Sequence, residues 1–512
     1  MNENINTLNK LKKSVDILLV SLPPWGVDTP PLGLACLSSY LGSKGIRTDI
    51  FDLNIKLYNA LPEELQYLWG MNYSHLWRQP QVFKKIEQKV AHYLDPLIQL
   101  IINHSAKVIG FSSPTNCSDF VLQTIVERIK REAPPKVIIL GGVSISIKEQ
   151  RGVLLQKIQG NVDYCVVGEG EEALSNLMML LLEGKQEKIK DIQGVLCKDN
   201  FFSSIKPVFV VDLNMLPFPT FEEFTLEDYK VPSSLAMEFS RGCIGNCSFC
   251  TFQIISPIFR TKSPAYVLKQ IEFYKRKYDI NHLSLCDAAI NGKINVLEEI
   301  SDLLIKHNLS INISGLAIPR KEMKESLLDK MKKAGFYRLE YGVESGSNRV
   351  LKAMRKIFTI EQAEEVLHNT YKAGIQTYVY LIVGHPGEKD EDFNQTKLFL
   401  KRNASNISTI KSINPLYIMA GCEIFYKPEK YGIAFPSENA DVNWHIPMEN
   451  NTREQREKRV YELKKMADSL RILYDEDAEC IEFSKKTIKK KKSVFSRICG
   501  LLRLGEIIHS NK

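Results

Sequence analysis

The chain has 512 residues, 44% of them hydrophobic and 25% charged, which is typical of a globular protein with about two to four domains. The net charge of +8 is modest for this length and much of it sits in one tail, 485–492, so the sequence does not predict a nucleic-acid-binding protein. No run of about 20 apolar residues predicts a membrane span. Scattered cysteines and a polar N-terminus predict a reducing, cytoplasmic location.

Short apolar segments alternate with helical patterns along residues 14–211. Strands are predicted at 16–21, 46–54, 107–113, 136–142 and 164–168, and helices at 32–44, 120–131 and 171–183. These strands are rich in β-branched residues, which is typical of buried parallel strands. The alternation predicts a doubly wound, Rossmann-like α/β domain with ligands at the carboxyl ends of its strands. Residues 55–95 are predicted as an aromatic-rich helical insertion near that edge, and 192–197 with 207–211 as a closing hairpin.

A second strand–helix series follows a linker at 212–232. Strands are predicted at 236–239, 283–286, 311–315, 338–343 and 376–383, and helices at 264–277, 295–307, 324–334, 359–373 and 390–402. This series predicts a partial (β/α)6-type barrel over 233–420, with its working face at the carboxyl ends of the strands. The region 421–512 is predicted to be mainly helical, with a helix over 453–473 and a basic tail. A solvated tail is favoured there over a membrane-surface or nucleic-acid role.

Three cysteines stand close together after the first strand of the second series. Cys243, Cys247 and Cys250 form a C-x3-C-x2-C run. Three thiolates on one tight loop can bind three irons of a 4Fe–4S cube and leave the fourth iron open to a small molecule. A structural zinc site usually needs four ligands, and the sequence has no second C-x2-C pair. The run therefore predicts an iron–sulfur site at the mouth of the barrel.

Further motifs accompany the cysteines in a fixed order. Phe249 directly precedes the last cysteine, 341–346 read YGVESG and 384–388 read GHPGE. In the first domain, 31–35 read PLGLA, 41–45 LGSKG, 141–144 GGVS and 167–171 VGEGE. Together these motifs resemble the cobalamin-binding radical SAM proteins over roughly residues 14–430. The resemblance implies a cobalamin-binding domain followed by a radical SAM barrel.

The resemblance also assigns roles in the second domain. It implies that the three cysteines hold a 4Fe–4S cluster whose open iron binds S-adenosylmethionine, which is cleaved to a 5′-deoxyadenosyl radical. Phe249 would pack beside the adenine, and Glu344 and Ser345 would bond the ribose or methionine part. Asp287, at a strand end, is either a second polar contact or a helix N-cap. His385 is predicted to be structural.

In the first domain, the resemblance implies a cobalamin site at the strand ends. Paired glycines let the backbone approach a large flat ligand closely, and hydroxyl groups suit the many amides of a corrin. The predicted binding residues are Ser112, Ser113, Gly141, Gly142, Ser144, Gly168 and Glu169. The segment 22–27 contains no histidine, and Ser144 stands where family members can have one, so no imidazole is predicted below the cobalt. A helix-capping role for 141–144 stays open, and the absence of G-x-G-x-x-G from the first turn argues against NAD.

The sequence thus predicts a cobalamin-dependent radical SAM enzyme that methylates an unactivated carbon or phosphorus. The alternatives are a radical cyclase or rearrangement enzyme with the same domains, a non-enzymatic cobalamin or metal-binding module, and an RNA-modifying enzyme, which the lack of an RNA-binding segment disfavours. The predicted partners are a small-molecule or peptide substrate and an electron donor such as flavodoxin or ferredoxin.

Overall fold

The computed structural model describes residues 15–70, 73–436, 440–447, 449 and 451–474. The predicted basic tail at 485–492 lies outside these residues. Two sheets organise the described chain, one of six strands and one of seven. Within the described residues, no helix is both long enough and apolar enough to cross a membrane.

The first domain is built on the six-stranded sheet, in the order β2-β1-β3-β4-β5-β6. Its strands are β1 (Ile17–Ser21), β2 (Thr48–Asp52), β3 (Val108–Ser112), β4 (Val137–Gly141), β5 (Tyr164–Val166) and β6 (Val195–Cys197). Its helices are α1 (Leu32–Ser43), α2 (Leu53–Ala60), α3 (Glu63–Gln66), α4 (Pro80–Ile102), α5 (Asp119–Glu132), α6 (Val143–Ser146), α7 (Lys148–Lys157) and α8 (Gly170–Leu182). The first five strands pair in parallel. Alternate residues of β1 belong to two different apolar cores, which explains why the central strands are mostly apolar.

Two predictions for this domain need correction. The hairpin is wrong, because β6 pairs antiparallel with β5, whereas Val208 forms an isolated parallel bridge with Gly168. The segment predicted as an insertion at 55–95 is helical but belongs to the crossover from β2 to β3, because α2 begins at Leu53 and α4 continues to Ile102. Tyr67, Trp69 and Trp77 pack into the core, where Trp77 is fully buried, while Tyr73 is exposed.

The second domain is a partial barrel of seven parallel strands in the order β15-β14-β13-β12-β11-β10-β7. Its strands are β7 (Ser234–Met237), β10 (His282–Leu285), β11 (Asn312–Ala317), β12 (Phe336–Glu344), β13 (Gln376–Val383), β14 (Thr409–Pro415) and β15 (Leu473–Tyr474). A separate antiparallel pair, β8 (Ser240–Arg241) and β9 (Arg260–Thr261), stands at the barrel mouth. The pair β8–β9 and the strands β14 and β15 were not predicted.

The helices of the second domain alternate with these strands and end in a helical C-terminal part. They are α9 (Phe252–Ile255), α10 (Pro264–Tyr278), α11 (Ile294–Lys306), α12 (Glu325–Lys333), α13 (Asn348–Ala353), α14 (Ile360–Lys372), α15 (Asp390–Arg402), α16 (Glu423–Tyr426), α17 (Ala440–Asn443) and α18 (Arg453–Ser469). The fold is thus the predicted α/β pair of domains with a helical C-terminal part.

The linker between the domains is tied to the first domain by polar contacts. The hydroxyl of Tyr229 donates to Asp52 Oδ2 over 2.6 Å, and the hydroxyl of Ser38 donates to Glu223 over 2.8 Å. One apolar core contains residues of both domains, including Leu19 and Leu235. The linker contacts and the shared core hold the two sheets in one arrangement.

Candidate active site

The three cysteines lie on a loop, 242–259, that the short ladder of β8 and β9 closes at its base. Ser240 pairs with Thr261, and Arg241 pairs with Arg260. Gly242 opens the loop with a positive φ of 88°, and a Cβ there would lie 2.4 Å from the carbonyl oxygen of Ile258. Only glycine fits this turn without moving the opposite side of the loop.

The thiols of the first two cysteines face a common point above the loop backbone. A Cβ placed on Gly245 would lie 3.5 Å from Sγ of Cys243 and 3.8 Å from Sγ of Cys247. The Gly245 N–H donates to Sγ of Cys243 over 3.3 Å. Burial raises the pKa of the Cys247 thiol, and it raises the pKa of the Cys250 thiol to about 11.

This donor set fits a 4Fe–4S cluster, which three thiolates can hold. Across the described part of the chain, no three His, Cys, Asp or Glu side chains could hold one metal ion together. In a 4Fe–4S cluster, each thiolate binds a different iron, so the sulfurs do not need to surround one point. A backbone N–H already directed at a sulfur is the kind of hydrogen bond that stabilises such a cluster.

A buried ion pair flanks the cysteine loop. Lys356 Nζ lies 3.0 Å from Glu344 Oε1 and donates to the Gly342 carbonyl over 3.1 Å. The same ammonium lies 5.5 Å from the ring centre of Phe249. Although burial opposes its charge, the carboxylate of Glu344 and the nearby thiol of Cys247 raise the pKa of Lys356. A fixed cation therefore stands beside the cysteines, and Lys356 was not among the predicted site residues.

Glu344 and Ser345 were predicted together, but the structure separates them. Glu344 ends β12 with a positive φ of 68° and directs its carboxylate at Lys356. Ser345 is fully buried and lies 3.4 Å from the Thr396 hydroxyl, and its oxygen accepts from Ser347 N–H over 3.2 Å. The side chain of Ser345 thus stabilises the turn after β12, while Glu344 lies beside the cysteine loop, paired with Lys356.

Asp287 binds the backbone just before the cysteine loop, and His385 contacts Ser248 within it. Both oxygens of Asp287 accept from the Phe239 N–H, and one accepts from the Ser240 N–H over 2.6 Å. Burial raises the pKa of Asp287 to about 6. His385 Nε2 lies 3.1 Å from the Ser248 hydroxyl, and burial lowers the pKa of this histidine to about 4. The contacts of Asp287 are thus those of a positioning residue, and the contacts of His385 agree with its predicted structural role.

The strand ends of the first domain form a cradle made mainly by backbone. Gly142 has a φ of 100°, and a Cβ there would lie 2.6 Å from the Ser113 carbonyl oxygen. The Ser113 N–H donates to the Gly141 carbonyl over 2.9 Å, and the Ser144 N–H donates to the Ser113 carbonyl over 3.2 Å. These bonds hold the ends of β3 and β4 together, while Ser112 lies half-buried at the end of β3.

Two hydroxyl groups in this cradle have no protein partner. Ser113 Oγ and Ser144 Oγ are buried and form no hydrogen bond with any of the described residues. A buried hydroxyl without a partner is unfavourable unless a ligand or water satisfies it. The side chain of Ser146 instead links two loops, because it donates to the Gly142 carbonyl and accepts from Gly168 N–H, each over 3.0 Å. A ligand with many amide groups can supply the hydrogen bonds that these two hydroxyls lack.

Glu169 does not belong to this cradle, in contrast to its prediction as a cobalamin contact. Its two carboxylate oxygens lie 2.6 and 2.9 Å from the guanidinium of Arg260, and one of them lies 3.2 Å from that of Arg241. The side chain therefore joins the first domain to the base of the cysteine loop. The physical reason is charge: two arginines of the second domain lie within reach, and they satisfy the carboxylate.

The two candidate sites are joined by contacts between the segments that follow them. Helix α6 follows the glycine pair of the first domain directly, helix α9 follows Cys250, and these two short helices pack together. A Cβ on Gly421 would lie 3.4 Å from both Ile147 and Thr251, so a third segment closes the contact. The cysteine loop and the glycine–serine cradle thus lie near each other, on segments joined by this helix contact.

Family comparison agrees with this arrangement. Residues 237–400 match the radical SAM superfamily, and residues 82–178 match the B12 binding domain. The chain belongs to the cobalamin-binding radical SAM proteins. It is an enzyme, and its family implies a 4Fe–4S cluster, S-adenosylmethionine and cobalamin as cofactors.

Two curated relatives match most of the chain. An uncharacterized methyltransferase of Pyrococcus horikoshii is 24% identical over 405 residues, which cover 76% of this chain and 78% of the relative. The cytidylyl-2-hydroxyethylphosphonate methyltransferase of Streptomyces wedmorensis is 21% identical over 460 residues, which cover 80% of each chain.

Two solved structures share the fold. The radical S-adenosylmethionine methyltransferase TsrM of Kitasatospora setae, solved with cobalamin and a [4Fe-4S] cluster, has a TM-score of 0.64 at 15% identity and covers 87% of this chain and 85% of that chain. The cobalamin-dependent radical enzyme OxsB has a TM-score of 0.60 at 19% identity and covers 88% of this chain. The chain spans 61% of the length of OxsB.

Proposed function

We propose that this chain is a cobalamin-dependent radical SAM methyltransferase that acts on a small-molecule or peptide substrate at a carbon or phosphorus centre. The packing of α6 against α9 carries the proposal, because it puts the glycine–serine cradle beside the cysteine loop. A methyl group can pass between two cofactors and one substrate only where all three meet. Relatives named as methyltransferases support this choice of reaction.

The residues of the second domain would hold the first cofactor pair. Cys243, Cys247 and Cys250 would bind three irons as thiolates, with the Gly245 N–H stabilising one sulfur. Lys356 would attract the carboxylate of S-adenosylmethionine, because a buried ammonium binds a carboxylate strongly. Glu344 would accept a hydrogen bond from its amino group or ribose. When bound, the cluster supplies the electron that cleaves S-adenosylmethionine, and cobalamin supplies a carrier for the methyl group.

The residues of the first domain would hold cobalamin without a protein imidazole. Gly142 lets the backbone at the end of β4 pack directly against that of Ser113, and the hydroxyls of Ser113 and Ser144 would donate to corrin amides. Trp25, which is 46% exposed, stands in the loop after β1, and the segment 22–27 contains no histidine. A flavodoxin or ferredoxin of a reducing cytoplasm would supply the electron.

The proposal is tested by anaerobic reconstitution with iron, sulfide and cobalamin, followed by reaction with S-adenosylmethionine and a strong reductant. The wild-type chain should release 5′-deoxyadenosine, and the triple variant Cys243→Ala, Cys247→Ala, Cys250→Ala should release none. S-adenosylmethionine with an isotope-labelled methyl group should pass its label to the bound cobalamin. No 5′-deoxyadenosine from the reconstituted wild-type chain would refute the proposal.

A radical cyclase or rearrangement enzyme is the second candidate. One relative is the anaerobic magnesium-protoporphyrin IX monomethyl ester cyclase of Rubrivivax gelatinosus, 25% identical over 282 residues. The mass of the product separates the two reactions, because methylation adds one CH2 unit and ring closure does not. A product without the labelled methyl group, formed together with 5′-deoxyadenosine, would favour this candidate over methyl transfer.

A further inference from the structure

The base of the cysteine loop carries a buried group of charges that the proposed reaction does not use. Arg241 and Arg260 lie opposite each other in the β8–β9 ladder, one on each side of the loop. Their side chains are 12% and 9% exposed. Both guanidinium groups reach carboxylates of the first domain.

Two carboxylates of the first domain receive these arginines. Glu169 binds Arg260 through both oxygens, at 2.6 and 2.9 Å, and one of those oxygens also lies 3.2 Å from Arg241. Glu171 Oε1 lies 2.7 Å from the other terminal nitrogen of Arg241. Paired bonds between a guanidinium and a carboxylate fix orientation as well as distance. A single carboxylate, that of Glu169, therefore holds both ends of the cysteine loop.

The loop that carries Glu169 is itself fixed. Gly168 precedes it with a φ of 95°, and the Gly168 N–H donates to Ser146 in the cradle. The Val210 N–H donates to Glu169 over 2.7 Å, and Arg260 donates to the Val210 carbonyl. A movement of the cysteine loop must consequently move the cradle loop or break several buried charge-assisted bonds.

We infer that Glu169 is a positioning residue that sets the cysteine loop against the cobalamin cradle. This role depends on the proposed function in one respect: the cysteine loop must carry the cluster. Transfer between two cofactors tolerates little misplacement, since a shift of about 1 Å at a reacting centre can cost on the order of a hundredfold in rate. Glu169 touches neither cofactor in this role and acts through Arg241 and Arg260.

The test is hydrogen exchange of residues 242–259 in the full chain without added cofactors. Glu169→Gln keeps the shape of the side chain but removes its charge, and Glu172→Gln is the matched control because Glu172 is exposed in the same segment. Glu169→Gln should speed exchange in the loop by about tenfold or more. It should leave cobalamin affinity within about twofold of the wild type. Unchanged exchange with weakened cobalamin binding would overturn the inference and restore Glu169 as a ligand contact.

Two further measurements separate positioning from general stability. In a double-mutant cycle with Arg260→Gln, the effects of the two variants on loop exchange should not add, because each removes the same bond. In reconstituted protein, Glu169→Gln should alter the electron paramagnetic resonance spectrum of the reduced cluster, and Glu172→Gln should not. An unaltered spectrum with faster exchange would reduce Glu169 to an interface contact and overturn the inference. If no cluster forms in the wild type, the proposed function fails, while the exchange result still stands.

Discussion

Replacement of Lys356 by methionine tests the buried ion pair beside the cysteine loop. Lys356 Nζ lies 3.0 Å from Glu344 Oε1, and both side chains are about nine-tenths buried. At an effective dielectric constant of about 20, a gross attraction of about 5 kcal/mol corresponds to that distance. Loss of one partner leaves a buried charge, so Lys356→Met should lower the free energy of unfolding by about 3–5 kcal/mol.

Lys356→Met should also weaken the binding of S-adenosylmethionine. A second variant separates the loss of stability from the loss of binding. Lys356→Met combined with Glu344→Gln removes both charges and should recover most of the stability, since replacing both partners of a buried pair is often nearly neutral. The double variant should still bind S-adenosylmethionine about 10- to 100-fold more weakly, because the cation for the carboxylate is gone.

Chemical denaturation and equilibrium binding measure these two quantities, with Lys352→Met as the control because Lys352 is exposed on the preceding helix. If the double variant recovers its stability and also binds S-adenosylmethionine like the wild type, Lys356 is only a structural partner of Glu344, and the assignment is refuted.

Three other predictions concern Gly142 and Ser113 of the cradle and His385, which contacts the cysteine loop. Gly142→Ala should abolish cobalamin binding and cost about 1–3 kcal/mol of stability, measured by cobalamin titration and denaturation, because its φ is 100° and its Cβ would meet a carbonyl oxygen at 2.6 Å. Ser113→Ala should weaken cobalamin binding about tenfold without destabilising the apoprotein, since its hydroxyl has no partner among the described residues; a clear loss of apoprotein stability would contradict this. His385 has a pKa lowered to about 4, so the unfolded chain binds its proton first as pH falls from about 6.5 to about 4, and stability falls by up to about 3 kcal/mol over that range. His385→Gln should flatten that part of the pH–stability curve.

The parts of the fold that the sequence predicted are those with a local signal. Three cysteines within eight residues, and apolar strands separated by amphipathic helices, need no knowledge of distant contacts. The strand β14 was missed because its residues, TIKSINP, mix polar and apolar side chains without strict alternation. The pair β8–β9 was missed because two-residue strands have no pattern of their own.

The site residues that were misplaced depend on contacts far along the chain. Glu169 lies in the segment 167–171, whose glycines and acidic residues are typical of a ligand-binding loop. Only the folded structure shows that Arg260, 91 residues later, binds the carboxylate of Glu169. Ser345 adjoins Glu344 in sequence, but the turn after β12 directs it at Thr396 instead. Lys356 was not predicted as a site residue, because its position beside Phe249 follows from the packing of the barrel.

The most direct test of the account measures iron and cobalamin in one anaerobically reconstituted preparation. We expect about four irons and one cobalamin per chain, because the cysteine loop and the cradle are separate sites. The triple cysteine-to-alanine variant should lose the iron and keep the cobalamin, and Gly142→Ala should lose the cobalamin and keep the iron. A wild-type chain that binds only one of the two, or a cysteine variant that keeps its iron, would contradict the account.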